Sequence, residues 1–207
     1  MSPNSGLEKL KPYAFLPIRK TDTAKTRLST ALSQKKRIVL CQKMLRHVYQ
    51  SCLEAGVKPV VVTADPAILR KYGGLQDDNQ GLNEALTKAL ETLQPERFFI
   101  ILPDLPFLRH ENLLQIMKLN SEYVVCPDRR LTGTNIVYVN GFKKFQAMFG
   151  KHSFRKHLLQ NNKAKIFCEL GTALDIDYPS DLSLFRRLST RPTGKKQQSY
   201  YKNQGHE

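Results

Sequence analysis

Phe98-Phe-Ile-Ile-Leu102 is an unbroken apolar run of five residues. It is far shorter than the roughly 18 apolar residues that cross a membrane. An uninterrupted run of this length, bounded by polar segments, marks a strand covered on both faces. A strand covered on both faces belongs to a sheet with a further layer packed on each side.

The rest of the sequence fits that frame. Pro12–Ile18 and Val57–Val62 read as strands, as do 122–126, 135–139 and 165–169. Between them lie helical stretches. One runs from Ser33 to Ala55, with Ile38, Cys41, Leu45, Val48 and Cys52 on a single face and Gly56 closing it. Leu82–Leu93 repeats the same spacing, and shorter helices are expected at 111–119, 153–160 and 179–189. Strands alternating with helices build parallel βαβ units. The expectation is a single Rossmann-like, three-layer α/β domain over 12–188, its sheet mostly parallel with helices on both faces. A basic, disordered tail over 189–207, rich in Ser, Gln, Lys and Gly, is expected to follow.

Bulk chemistry narrows the class. With 207 residues the chain buries about 70% of its extended surface and needs no staple. Its 41% hydrophobic and 25% charged residues exclude a disordered chain, a collagen and a coiled coil. The N-terminal stretch has no signal-peptide core, so a soluble, cytoplasmic protein is expected. Cys41, Cys52, Cys126 and Cys168 show no zinc-ligand spacing and read as buried free thiols. The formal net charge is +15, and residues before Arg186 still carry 27 basic against 17 acidic side chains. Such a surface draws polyanions: nucleic acid, nucleotides or phosphorylated metabolites.

In a doubly wound sheet, ligands bind beyond the carboxyl ends of the strands. After the first strand, Arg19, Lys20, Lys25 and Arg27 supply four cations suited to a phosphate-rich ligand. Neither a Walker A loop nor G-x-G-x-x-G is present. After the central strand, Asp104 is placed either to hold Mg²⁺ against a triphosphate or merely to form a turn. In Leu174-Asp-Ile-Asp177, residues two apart face the same way if the segment is extended, so Asp175 and Asp177 would project together with Ile176 turned inward. Such a pair repels itself unless a cation intervenes. Asp177 could alternatively cap the helix beginning at Pro179, supported by Asp181. Gly133 permits a tight turn beside Thr132, Thr134 and Asn135. Ser153 follows Gly150 and could open a helix whose N–H groups attract an anion. The histidines form no triad with a Ser or Cys, and His157 is expected to be structural or peripheral.

These strings, in order, resemble the 2-phospho-L-lactate guanylyltransferase (CofC) family of deazaflavin coenzyme F420 biosynthesis. They are Pro17-Ile18 with Ala24-Lys-Thr-Arg-Leu28, Gly81-Leu-Asn83, Asp104-Leu-Pro-Phe-Leu108, Gly133-Thr-Asn135, Phe149-Gly150 with Ser153-Phe154 and His157-Leu158, and Asp175-Ile-Asp177-Tyr-Pro179. The likeness extends more loosely to MobA-like nucleotidyltransferases. It implies a glycosyltransferase-A type fold that moves GMP from GTP to 2-phospho-L-lactate, phosphoenolpyruvate or a phosphoglycerate. By the same resemblance, Asp104, Asp175 and Asp177 would hold Mg²⁺, and Lys25 and Arg27 would act on the triphosphate with Asp104. Arg19, Lys20 and Asn83 would bind the nucleotide, while Thr134, Gly150 and Ser153 would hold the acid. Arg19 stands where the family usually has Lys and Lys20 where Pro is common, leaving open which reaches the triphosphate. Leu131 and Thr132 depart from a Gly-rich lead-in. The product would pass to a downstream deazaflavin transferase, and a homodimer is left open. Two other readings remain: a MobA-like transferase for another phosphorylated acceptor, and a basic RNA-binding protein.

Overall fold

Seven strands form one sheet in this computed structural model, which describes residues 11–18 and 25–190. They are β1 (Tyr13–Pro17), β2 (Lys58–Thr63), β3 (Leu75–Gln76), β4 (Arg97–Ile101), β5 (Tyr123–Pro127), β6 (Thr134–Asn140) and β7 (Lys165–Ile166). Across the sheet the order is β3-β2-β1-β4-β6-β5-β7. β6 pairs antiparallel with both β4 and β5, and all other pairings are parallel. The described helices are α1 (Gln34–Glu54), α2 (Pro66–Tyr72), α3 (Leu82–Leu93), α4 (His110–Lys118), α5 (Ser153–Leu158), α6 (Leu170–Ala173) and α7 (Pro179–Ser189). The expected α/β class and mostly parallel sheet are what the chain adopts, with β6 the one reversed strand.

The two-residue period of the strands separates two cores. Ala14, Leu16, Phe99, Ile101, Ile136 and Tyr138 face one side, against Leu45, Val48 and Cys52 of α1 and Leu113 and Ile116 of α4. Phe15, Phe98, Ile100, Val137 and Val139 face the other, against Ala85, Leu86 and Ala89 of α3. Helices on both faces complete the three layers. Each fully buried Leu, Ile or Phe contributes about 1.5–3 kcal/mol relative to exposure.

Three local expectations change. Helix α2 and the short β3 were not anticipated: Asp65 caps α2 by accepting from the Ala67 and Ile68 N–H groups, and Pro66 opens it. The strand expected over 165–169 stops at Ile166, because it sits at the sheet edge and gives way to the turn of α6. Cys168 is exposed, whereas the other three thiols are buried as expected. The expected tail falls almost wholly outside the described residues, as do Arg19 and Lys20. No helix among the described residues is long and apolar enough to cross a membrane.

A third, smaller core matters most for function. Leu28 from a 3-10 turn (Thr26–Leu28), Met44 from α1, and Ile176, Leu182 and Phe185 from the C-terminal segment pack together. This cluster holds the 3-10 turn and the segment before α7 together over the carboxyl end of the sheet.

Candidate functional site

The acids converge. Asp104 follows β4 and a bend at Pro103, anchored by Leu102, whose N–H donates to the Asn135 carbonyl at 2.9 Å. The Ile176 N–H donates to the Asp104 carbonyl at 3.2 Å, laying the 174–177 segment alongside. Ile176 turns into the small core, so Asp175 and Asp177 project to the opposite side. Carboxylate oxygens of Asp104, Asp175 and Asp177 then lie within 4.8 Å of one another.

Lys25 stands among them. Its Nζ donates to Asp104 and, at 2.5 Å, to Asp177. Arg27 reaches Asp177 from outside at 3.4 Å. Lys25 adopts a left-handed backbone, φ 55°, a conformation costing a non-glycine residue about 1–2 kcal/mol. The two carboxylates and the buried Leu28 hold it there. Burial alone would lower the Lys25 pKa, but Asp104 and Asp177 raise it above its ordinary value. Asp177 therefore does not cap α7. That task falls to Asp181, which accepts from the N–H groups of Asp177 and Tyr178.

The residues suit a divalent cation. Asp104 Oδ1 and Asp175 Oδ1 are buried with no hydrogen-bond donor. An orphaned buried carboxylate oxygen is costly unless something positive meets it. Burial, reinforced by Asp104 and Asp177, pushes the Asp175 carboxyl up to about 7 from 3.8. The folded chain thus keeps a proton that the unfolded chain releases between about pH 4 and 7, and metal-free stability falls as pH rises through that window. Asp175→Asn is expected to stabilise the metal-free protein by about 2–4 kcal/mol at pH 7.5, and negligibly at pH 4. Thermal unfolding at the two pH values measures this difference directly.

The site opens on a cleft of about 720 Å³. Lys25, Arg27, Asp104 and Asp177 line it together with Ile18, Val62, Ala64, Asp77, Asn79, Gly81 and Leu82. These belong to the carboxyl ends of β1 to β4 and the start of α3. Cys41 and Met44 of α1 also reach the cleft.

The other expected binding residues form a neighbouring polar nest. β6 begins beside the end of β4, which brings Thr134 to the same edge of the sheet as Asp104. The Thr134 N–H donates to Ser153 Oγ at 2.9 Å. His157 Nε2 accepts the Met148 N–H, so Nδ1 carries the proton and donates to Thr134 Oγ1 at 2.9 Å. Burial, with some help from Lys156, lowers the His157 pKa to about 4, keeping the ring neutral. His157 is thus a structural residue that fixes the Thr134 hydroxyl. Gly150, φ 113°, makes the turn before α5. Gly133 admits the close approach of Asp128, whose Oδ2 would lie 2.9 Å from an added Cβ.

Asn83 does not join the cleft. Its amide donates to the Phe149 carbonyl and its carbonyl accepts the Phe149 N–H, stapling α3 to the loop before α5. Three other features went unread in the sequence. Asp181 is fully buried and accepts from both Arg129 and Arg130. Burial would raise its pKa, but Arg129, the capped backbone N–H groups and Arg130 hold it below the usual range. Tyr178 receives the Arg27 and Arg130 guanidinium groups at 5.1 and 4.8 Å from its ring centre. Asp77 and Asn79 enter the cleft from the sheet edge; the acid-rich Asp77-Asp-Asn79 string after a strand was the available signal.

With this geometry established, likeness to known proteins becomes informative. The family described as Guanylyl transferase CofC like matches residues 13–206. A 2-phospho-L-lactate guanylyltransferase of Methanocaldococcus sp. (strain FS406-22) is 30% identical over 179 residues, covering 81% of this chain and 78% of that protein. A phosphoenolpyruvate guanylyltransferase of Thermobaculum terrenum is 27% identical over 183 residues, covering 81% and 80%. A putative nucleotide-diphospho-sugar transferase from Desulfovibrio desulfuricans G20 superposes with a TM-score of 0.73 over 92% of both chains. At 12% identity that last likeness is one of fold alone.

Proposed function

This chain belongs to the CofC-like guanylyl transferase family, and we propose that it moves a guanylyl group from GTP onto the phosphate of a small phosphorylated carboxylic acid, releasing pyrophosphate. The observation that carries this reading is the convergence of Asp104, Asp175 and Asp177 at the mouth of a nucleotide-sized cleft, with two buried carboxylate oxygens lacking donors.

An oxygen of the acceptor phosphate attacks the α-phosphorus of GTP, and the bond from that phosphorus to the β-bridging oxygen breaks. The nucleophile is ionised at neutral pH, so no general base is needed. The barrier is repulsion between two anions, answered by positioning and electrostatics. Asp104, Asp175 and Asp177 would hold Mg²⁺, which supplies Lewis-acid charge neutralisation between the two phosphates. Lys25 and Arg27 stand where they can follow the leaving pyrophosphate. The Thr134 hydroxyl, pinned by His157, and the Ser153 hydroxyl each retain a proton to donate to the acceptor. The +15 charge then serves capture of anionic substrates.

This activity belongs to a soluble, cytoplasmic step of F420 assembly, whose product a downstream transferase consumes. Incubation with GTP, Mg²⁺ and each of 2-phospho-L-lactate, phosphoenolpyruvate and phosphoglycerate tests it. Mass detection should find a guanosine diphosphate-linked acid with one of them. Hydrolysis of GTP without any such adduct would refute the proposal.

A further inference from the structure

Asp77 differs from the other acids that line its cleft. Asp104 and Asp177 meet Lys25 there, whereas among the described residues no ion pair reaches the half-buried Asp77 carboxylate. A carboxylate repels phosphate. Its value in such a cleft lies in meeting hydrogen-bond donors.

Its position is fixed. The Asp77 N–H donates to the Thr63 carbonyl at 3.0 Å, continuing the β2–β3 ladder. Its Oδ1 accepts the Asn79 N–H at 2.8 Å, and among the described residues Oδ2 accepts no hydrogen bond. β3 lies three strand positions from β4, so at about 4.8 Å per step Asp77 enters about 14 Å from the acidic cluster. That is the order of the distance from the reacting phosphate to the far edge of the base in an extended nucleotide. Between the two lie Val62, Ala64, Leu82 and Ala85, an apolar lining suited to the faces of a planar ring.

We propose that Asp77 reads the Watson–Crick edge of guanine and selects GTP for this cleft. Guanine presents two adjacent donors there, N1–H and the N2 amino group, which match a carboxylate acceptor. Adenine presents an acceptor at N1, and a carboxylate repels it. The inference rests on the guanylyl-transfer reading and adds the residue that sets the nucleotide.

The test compares the full-length wild type with Asp77→Asn, using GTP, inosine triphosphate, xanthosine triphosphate and 1-methyl-GTP at fixed Mg²⁺ and acceptor. Asparagine keeps an oxygen for the Asn79 N–H, so the turn persists, but it offers an amide donor where guanine's amino group would sit. That donor suits the C2 carbonyl of xanthine. Wild type should favour GTP over 1-methyl-GTP by at least about 10- to 100-fold. In Asp77→Asn the GTP-to-xanthosine-triphosphate ratio of kcat/KM should fall at least 100-fold, mostly through KM, because the base is remote from the reacting phosphorus. Unchanged ratios in the variant, an equal loss with every nucleotide, or wild-type acceptance of 1-methyl-GTP would each overturn the role of Asp77. Wild type that makes adduct from no GTP at all overturns the guanylyl-transfer reading instead, so the two failures are distinct.

Discussion

Asp104→Ala and Asp177→Ala are each expected to lower pyrophosphate release from GTP by about 10³-fold or more, with circular dichroism and melting temperature close to wild type. Both side chains belong to one cluster of like charges, so removing either relieves repulsion in the metal-free fold and costs little stability. Lys25 retains one carboxylate partner in either variant. The loss should appear in kcat, because the acids act where charge develops between two phosphates. It should also persist at saturating GTP. If both variants turn over GTP within tenfold of wild type, the acids do not hold the cation on which the mechanism rests.

Lys25→Met should do the opposite to stability. Its ammonium neutralises Asp104 and Asp177, and Asp175 lies beside them. Removing it leaves only the exposed Arg27, at 3.4 Å from Asp177, against the three acids, and breaking a largely buried pair costs about 3–5 kcal/mol. Melting temperature at pH 7.5 without metal should therefore fall. Millimolar Mg²⁺ should restore much of it, because a divalent ion now meets no competitor for the same oxygens. Mn²⁺ titration followed by electron paramagnetic resonance should show tighter binding in the variant than in wild type without nucleotide, while guanylyl transfer is lost. A variant as stable as wild type and indifferent to Mg²⁺ would mean that Lys25 is not the counter-ion of this cluster.

Where the sequence spoke clearly, it did so through residues that act locally. Leu82–Leu93 and Pro179–Ser189 were bounded correctly because Gly81 and Pro179 punctuate strong helical periods. The acids were legible because their spacing within an extended segment and their position beyond an apolar strand are properties of the chain itself. The reversed direction of β6 left no local mark: a strand covered on both faces has the same apolar pattern whichever way it runs. β3 and α6 span two and four residues, too few to establish a period. Asn83 entered as a nucleotide-binding residue through the family's Gly-Leu-Asn string, and only tertiary packing brings Phe149 within its reach. The Arg129 and Arg130 partners of Asp181, and the Arg27 and Arg130 groups over Tyr178, are brought close by folding.

The tie between Lys25 and Asp177 joins residues 152 positions apart. A growing chain emerges from the ribosome N-terminus first. The cationic loop is therefore made well before the acidic strap that it meets. Until that strap joins it, Asp104 stands without Asp175 and Asp177, so the three-acid cluster is complete only when this long-range contact closes.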